Sequence, residues 1–322
     1  MSHARFAAAA LGAALSIVPA VAFSQNYPAK PVRVIVPWPP GGSNDIVGRV
    51  VAQKMTELLG QQFVVENRGG ASGVIGSDVV AKAQPDGYTI MVQSATHVAN
   101  PHLFKKLPYD TVKDFTGITP LALQVGIIVV HPSLPVKSVK EFIALSKARP
   151  NQIAYASSGS GSFVHLGMAL FASMTDTKMV HVPYKGGGPA AIALASGETQ
   201  AMCATVGSVI PHIEGKRLKP LGFTSDHRMK QYPDIPAIGE TVKGYEFTAW
   251  IGAFAPAGTP KPIVDRLNAE FKRVVSSPDA AKILGSQTLE PLHMTPEQYN
   301  ALLKSEIAGW KKIVQERDIK IN

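Results

Sequence analysis

The sequence predicts an α/β protein built on parallel sheets. Three observations carry that prediction: short β-branched runs alternate with amphipathic stretches, Gly, Pro and Ser crowd the junctions between them, and the alternation starts afresh midway along the chain. Val32–Val36 (VRVIV), with Pro31 and Pro37 on either side, reads as a buried strand. After the loop Trp38–Ser43, a helix is expected over Asp45–Leu59. Ile46, Val47, Val50, Val51, Met55, Leu58 and Leu59 form its apolar face, Asn44 or Asp45 can cap its start, and Gly60 ends it. Phe63–Glu66 is a second strand, followed by the Gly-rich turn Arg68–Gly73 and a short helix to Ala83. Pro85–Gly87 turns the chain into a third strand, Tyr88–Gln93. Strands joined through helices in this way call for parallel pairing with right-handed crossovers.

Leu121–His131 is one long apolar run, suited to crossing between domains. The alternation then resumes. A helix is expected over Val139–Ala148, a strand over Ile153–Ala156, a helix over Ser162–Met174 and a strand over Val180–Val182. A helix starting at Pro189 stops at Gly197, and strands follow over Gln200–Thr205, Lys219–Thr224 and Trp250–Pro256. A helix from Pro262 to about Val275 precedes the terminal one. That last helix opens with the capping box Thr295–Gln298, with Pro296 at its first position.

Composition narrows the function classes. Of 322 residues 45% are hydrophobic and 17% charged, which excludes a disordered chain. The formal charge of +9 admits either a nucleic-acid binder or a protein that handles small anions. The bases, however, are spread in short pairs such as Lys105–Lys106 and Lys311–Lys312, without the clustered Arg and interleaved aromatics of a nucleic-acid footprint. Tyr88, Tyr109 and Tyr184 read as core or hinge residues. The single cysteine, Cys203, excludes an intramolecular disulfide framework or a thiolate metal cluster, and reads as a buried small hydrophobe.

Met1–Phe6 carries His3 and Arg5 with no acid, and a small-apolar run follows from Ala7 to Ala22. This is the pattern of a signal peptide over residues 1–24, cut after Ser24 or after Ala22; an uncleaved anchor is the alternative. No later stretch reaches the length of a membrane span, so the mature chain is expected to be soluble.

Three loops share one piece of chemistry. Gly41–Ser43, Ser157–Ser162 and Lys185–Gly188 each follow a strand and open a helix. The first N–H groups of a helix lack intrahelical acceptors, and the positive end of its dipole points outward. Gly lets a ligand approach the backbone, and Ser adds hydroxyls. One such loop reads as a tight turn; three in the same context point to a site for a small anion, most economically a carboxylate.

Sharper catalytic motifs are absent. There is no G-x-x-x-x-G-K-[ST], no G-x-S-x-G after a strand, and no H-E-x-x-H. Ser157, Ser158 and Lys185 resemble a Ser-Ser-Lys amidase set without its surrounding signature. His165 reads as a packing residue or a cleft wall.

Several ordered strings resemble one family. They are Pro37–Asp45 (PWPPGGSND), Val65–Gly73 (VENRGGASG), Pro85–Tyr88, Asn100–Pro101 with Leu107–Asp110, Ser158–Gly161 with His165–Leu166, His181–Gly186 (HVPYKG) and Ala255–Pro260. Together they are similar to the Bug-type substrate-binding proteins of tripartite tricarboxylate transporters. The resemblance implies a type II periplasmic binding protein fold: two lobes, each with a mostly parallel sheet flanked by helices, and a ligand cleft between them. Residues 25–125 with 247–322 would form one lobe and 126–246 the inserted other, in keeping with the run at Leu121–His131 and with Tyr245–Trp250.

The implied protein is a periplasmic receptor, monomeric and not an enzyme. It uses no cofactor and no metal, binds a small carboxylate, and delivers it to integral membrane transporter subunits. A ligand-sensing accessory protein and a Ser-dependent hydrolase are the alternatives. Carried onto this chain, the first-lobe contacts are Trp38 as a wall, Gly42, Ser43 and Asp45, the last equally a helix cap, with Ser94 in the loop Ser94–His97. The second-lobe contacts are Ser157, Ser158, Gly159, Ser162, Lys185 and Thr205. One stretch departs from the family pattern: Cys203-Ala204-Thr205 stands where Phe-Asp-Asn is common. Without that acid, the expected ligand is a carboxylate that needs no amino group.

Overall fold

The structure, a computed structural model, describes residues 27–316; the expected leader and its cleavage site lie outside the described residues. Strand β1 (Val32–Val36) leads into helix α1 (Ser43–Leu59), β2 (Phe63–Asn67), a single 3-10 turn and α2 (Val74–Ala81). Next come β3 (Thr89–Ser94) and α3 (Thr96–Leu103). β1 lies between β2 and β3 and pairs with both in parallel, as alternation with crossover helices requires. Val47, Val51 and Met55 of α1 are buried with Val36, Ile90 and Val92 beneath them. Gly60 ends α1 in the left-handed conformation at φ 69°.

The second unit repeats the plan with α4 (Val139–Ala148), β5 (Ala154–Ser157), α5 (Phe163–Thr175), β6 (Val180–Pro183), α6 (Gly187–Ala195), β7 (Ala201–Thr205), α7 (Val206–Glu214) and β8 (Lys219–Phe223). β5 pairs in parallel with β6 and β7. Phe142 of α4 stacks on Phe171 of α5 with ring centroids 5.7 Å apart, in a core that includes Ile128, Cys203 and Tyr245.

Two long strands join the units. β4 (Phe115–Val130) leaves the first unit and β9 (Thr248–Pro256) returns to it. β4 pairs antiparallel with β9 from Phe115 to Val125, then antiparallel with β7 from Gly126 to Val130. Each unit thus keeps parallel pairs, as the expected mostly parallel sheets require, and antiparallel pairs enter with the crossing strands. The reason is topological: a chain that crosses once outward and once back puts its two crossings side by side in opposite directions. At the change of partner sits Gly126, where a side chain would meet Phe163 and Thr224 at 3.1 Å.

The chain closes with α8 (Lys261–Val275), α9 (Pro278–Ser286), β10 (Leu289–Pro291) and α10 (Pro296–Glu316), all on the first unit's sheet or against it. Both arms of the expected capping box are present: Gln298 N–H donates to Thr295 Oγ1 at 3.2 Å, and Thr295 N–H donates to Gln298 Oε1 at 3.0 Å. Among the described residues no helix is long and apolar enough to cross a membrane.

Three local expectations differ from the structure. Neither Asn44 nor Asp45 caps α1; Gly42 occupies that position, and Asp45 in the first turn accepts the Gly41 N–H at 3.0 Å. The segment expected as a loop after β3 is the start of α3. α6 starts at Gly187 rather than at Pro189, which sits within the first turn where its missing N–H leaves no bond broken.

Cys203 is fully buried, and burial pushes its thiol up to about 12. The native protein should therefore leave a thiol reagent such as Ellman's unreacted at pH 8, with one equivalent released on addition of denaturant. Rapid native labelling would show a strand β7 more open than the structure.

Candidate functional site

The N-terminal ends of α1, α3, α5, α6 and α7 meet at the interface between the two units. A small cavity of about 40 Å³ lies at their junction. Gly42, Ser43 and Asn44 reach it from the start of α1, Thr96 from α3, Phe163 and Val164 from α5, Gly187 from α6 and Thr205 from the cap of α7. Ser94 at the end of β3, Gln124 on β4, Ser158, Trp38 and Pro39 complete the lining. Among the described residues no lining side chain is ionisable. The cavity is furnished instead with hydroxyls and with first amides of helices, groups that can donate; the Ser94 and Thr205 hydroxyls are turned to Thr96 Oγ1 and Ser208 Oγ at 3.2 and 3.1 Å. Gln124 and Asn44 are buried, and each has a side-chain oxygen without a protein partner.

Beyond Trp38, Pro39 and Ser158 the space widens into an outer chamber of about 530 Å³. Pro40, Asn67, the turn Gly69–Ser72 and Phe104 line it from the first unit; Gly159, Ser160, Tyr184, Lys185 and Gly186 line it from the second. The two units touch across its mouth. The Ser72 hydroxyl donates to the Ser160 carbonyl. At Gly186, φ is 119° and a Cβ would lie 2.9 Å from Pro39 Cγ, so only glycine allows this approach.

Of the residues singled out in the sequence, Trp38, Gly42, Ser43, Ser94, Ser158 and Thr205 line the inner cavity; Gly159 and Lys185 line the outer chamber. Asp45, Ser157 and Ser162 line neither, because each side chain is taken by a neighbour. Asp45 is buried beside Arg49, 3.0 Å away, and also receives Asn67 Nδ2 at 2.9 Å. Burial would raise its pKa, but the bonds from Arg49, Gly41 and Asn67 outweigh this and hold it low. Asn67 Nδ2 also donates to the Trp38 carbonyl at 2.9 Å, so Asp45 and Asn67 together brace the Trp38 loop. Trp38 is pinned at its other end, where its indole N–H donates to Gln93 Oε1.

Ser162 caps α5 by accepting the His165 N–H at 3.2 Å. Ser157 sits 2.6 Å from His181 Nε2 and accepts the Gly159 N–H at 3.2 Å. This Ser–His pair has the look of a nucleophile and base, yet the hydroxyl is fully buried and faces away from both cavities. Its partner lies in a stack: the His165 and His181 rings are 4.0 Å apart, and Tyr155 lies 5.1 Å from His181. His165 Nδ1 accepts the Gly161 N–H at 3.0 Å. Burial lowers His181 to about 4, and burial with His181 alongside lowers His165 to about 3, so both rings are neutral. The stack thus braces the loop Ser157–Ser162 from behind.

Sequence reasoning missed Asn44, Thr96, Gln124, Ser72, Asn67, Phe104 and Tyr184. Asn44, Asn67, Ser72 and Tyr184 lie inside the quoted strings and were within reach. Gln124, a lone polar residue within the apolar crossing run, was the one available signal on β4. Among the described residues no group of three His, Cys, Asp or Glu side chains could hold a metal ion.

Residues 47–319 match the family described as the tripartite tricarboxylate transporter family receptor. The chain is 35% identical to BugT of Bordetella pertussis over 92% of each chain. In structure it is similar to the periplasmic binding protein BugD, with a TM-score of 0.87, 31% identity, and coverage of 91% of this chain and 99% of that one. It is also similar to Rpa4515 of R. palustris, solved with adipate, with a TM-score of 0.88, 33% identity, and coverage of 91% and 99%.

The histidine stack sets a pH dependence. In an unfolded chain both rings titrate near 6.5, in the fold only at about 3 to 4. Between those limits the unfolded chain binds more protons, so stability falls as pH drops from about 6.5. His181→Gln keeps a polar partner for Ser157 and should flatten the decline of the urea midpoint between pH 7 and pH 5. An unchanged slope would remove His181 from this role.

Proposed function

Because the chain belongs to the receptor family of the tripartite tricarboxylate transporters, we propose that it works in the periplasm as a solute receptor, holding one small carboxylate between its lobes. One observation carries the reading: helix starts from both lobes face a single cavity without an ionisable side chain. A helix N-terminus favours a nearby anion by roughly 0.3–1 kcal/mol when exposed, and by up to about 2 kcal/mol when partly buried. Several converging on one carboxylate supply what an Arg would supply elsewhere, with oxyanion acceptors matched to N–H and O–H donors.

The lobes divide at residues 125 and 247, so that 25–125 with 247–322 make one and 126–246 the other; the change of β4's partners at Gly126 supports this division. Gly42, Ser43 and Ser94 hold the carboxylate from the first lobe, and Ser158 and Thr205 from the second, with Trp38 as the wall between cavity and chamber; Gly159 lines the chamber, its N–H held by Ser157. Lys185 supplies positive charge in the outer chamber. Asp45, Ser157 and Ser162 act one step back, by shaping the loops. A ligand held from both sides binds the closed form better than the open one and stabilises it by that difference. The closed form is what the membrane subunits receive. An N-terminal signal peptide, removed after Ser24 or Ala22, brings the chain to the periplasm.

Ser158→Phe fills the neck of the cleft. Carboxylate affinity measured by calorimetry should fall roughly 100-fold or more, the equivalent of about 2.7 kcal/mol, while the apo thermal midpoint stays within a few degrees. Retained affinity would place the site elsewhere.

Neither cavity is lined by an acid that could receive an ammonium group. Succinate should therefore bind at least as tightly as aspartate, its amino analogue. Tighter binding of aspartate would sink this part of the reading.

A further inference from the structure

The outer chamber carries information about the ligand's body that the inner cavity does not, and the step taken here rests on the carboxylate reading above. We propose that the ligand is an aromatic carboxylate. Its carboxylate sits in the inner cavity, and its ring lies in the outer chamber against Trp38, Phe104 and Tyr184.

The sizes of the two spaces divide the ligand. The inner cavity, about 40 Å³, has room for one carboxylate-sized group. The outer chamber, about 530 Å³, is more than ten times larger and falls within the range of sites for drug-sized ligands. The bulk of the ligand therefore lies outside the polar inner cavity, beyond a neck framed by the Trp38 indole and the Pro39 ring.

Three of the chamber's polar side chains, Asn67, Ser72 and Tyr184, are engaged already. Asn67 Nδ2 donates to the Trp38 carbonyl and to Asp45, and its Oδ1 accepts from Arg49. The Ser72 hydroxyl donates to the Ser160 carbonyl, and Tyr184 Oη donates to Glu198 at 2.7 Å. A hydroxylated or multiply carboxylated ligand would lose its water shell there and find few replacements. Among the described residues Lys185 is the one cation lining the chamber, too little for the two further charges of a tricarboxylate.

What remains is apolar and stiff. Pro39 and Pro40 have fixed rings, Trp38 is tied to Gln93, and Tyr184 is tied to Glu198. Aromatic walls held in place bind a ring without the cost of ordering them.

Calorimetric titration of the full mature chain with benzoate, 2-naphthoate, malate and citrate tests the proposal. The aromatic acids are expected to bind at least ~10-fold tighter than malate or citrate, in line with one or two aromatic contacts. Phe104→Ala, which removes a wall of the outer chamber and none of the inner cavity, should weaken 2-naphthoate several-fold more than it weakens malate, with the apo thermal midpoint read alongside because Phe104 also packs on the core. Malate or citrate binding as tightly as the aromatic acids overturns this proposal and leaves the carboxylate reading standing. Silence of all four acids contradicts both.

Discussion

A helix cannot satisfy the N–H groups of its own first turn, and everything at the cleft follows from where this chain puts those groups. Five helices begin at one small cavity. Their starts are short of acceptors, and the side chains around them are hydroxyls, amides, proline and tryptophan rather than acids. Asp45, the nearest acid in sequence, is kept out by Arg49, Asn67 and the Gly41 N–H.

Bringing helix starts together from two halves of a chain needs a particular topology. β4 and β9 cross side by side, so the parallel strands of each lobe aim their carboxyl ends, and the helices that follow, at the common interface. The same helix can then serve two regions. Phe163 and Val164 of α5 line the inner cavity, while Leu166 and Leu170 face a rear cavity of about 330 Å³ with Phe247 and Trp310. Ser72 with Ser160 and Pro39 with Gly186 fix how closely the front of the cleft can shut.

Where local signals were strong, the sequence was read to the residue: Val32–Val36 between two prolines, Val139–Ala148, and Gly60 at the end of α1. α3 was not legible, since it has no side-chain cap and carries Pro101 inside its eight residues. Nor was the direction of β9, which depends on the chain's return rather than on any residue in it. At the site, the Gly/Ser loops announced themselves, but the string Ser157–Ser162 could not say which hydroxyl faces the cleft. Ser157 ends β5 and turns into its lobe toward His181, and Ser158, one residue on, points the other way. Gln124, Thr96 and Phe104 come from separate elements and share no local pattern; only the fold collects them.

The central claim is that backbone N–H groups from both lobes hold one carboxylate. Amide hydrogen exchange, with and without a saturating carboxylate, reads those groups directly. The account predicts simultaneous protection at Gly42–Asn44, at Ser158–Val164 and around Gly187. Protection confined to one lobe, or centred on the rear cavity by Trp310, would contradict it.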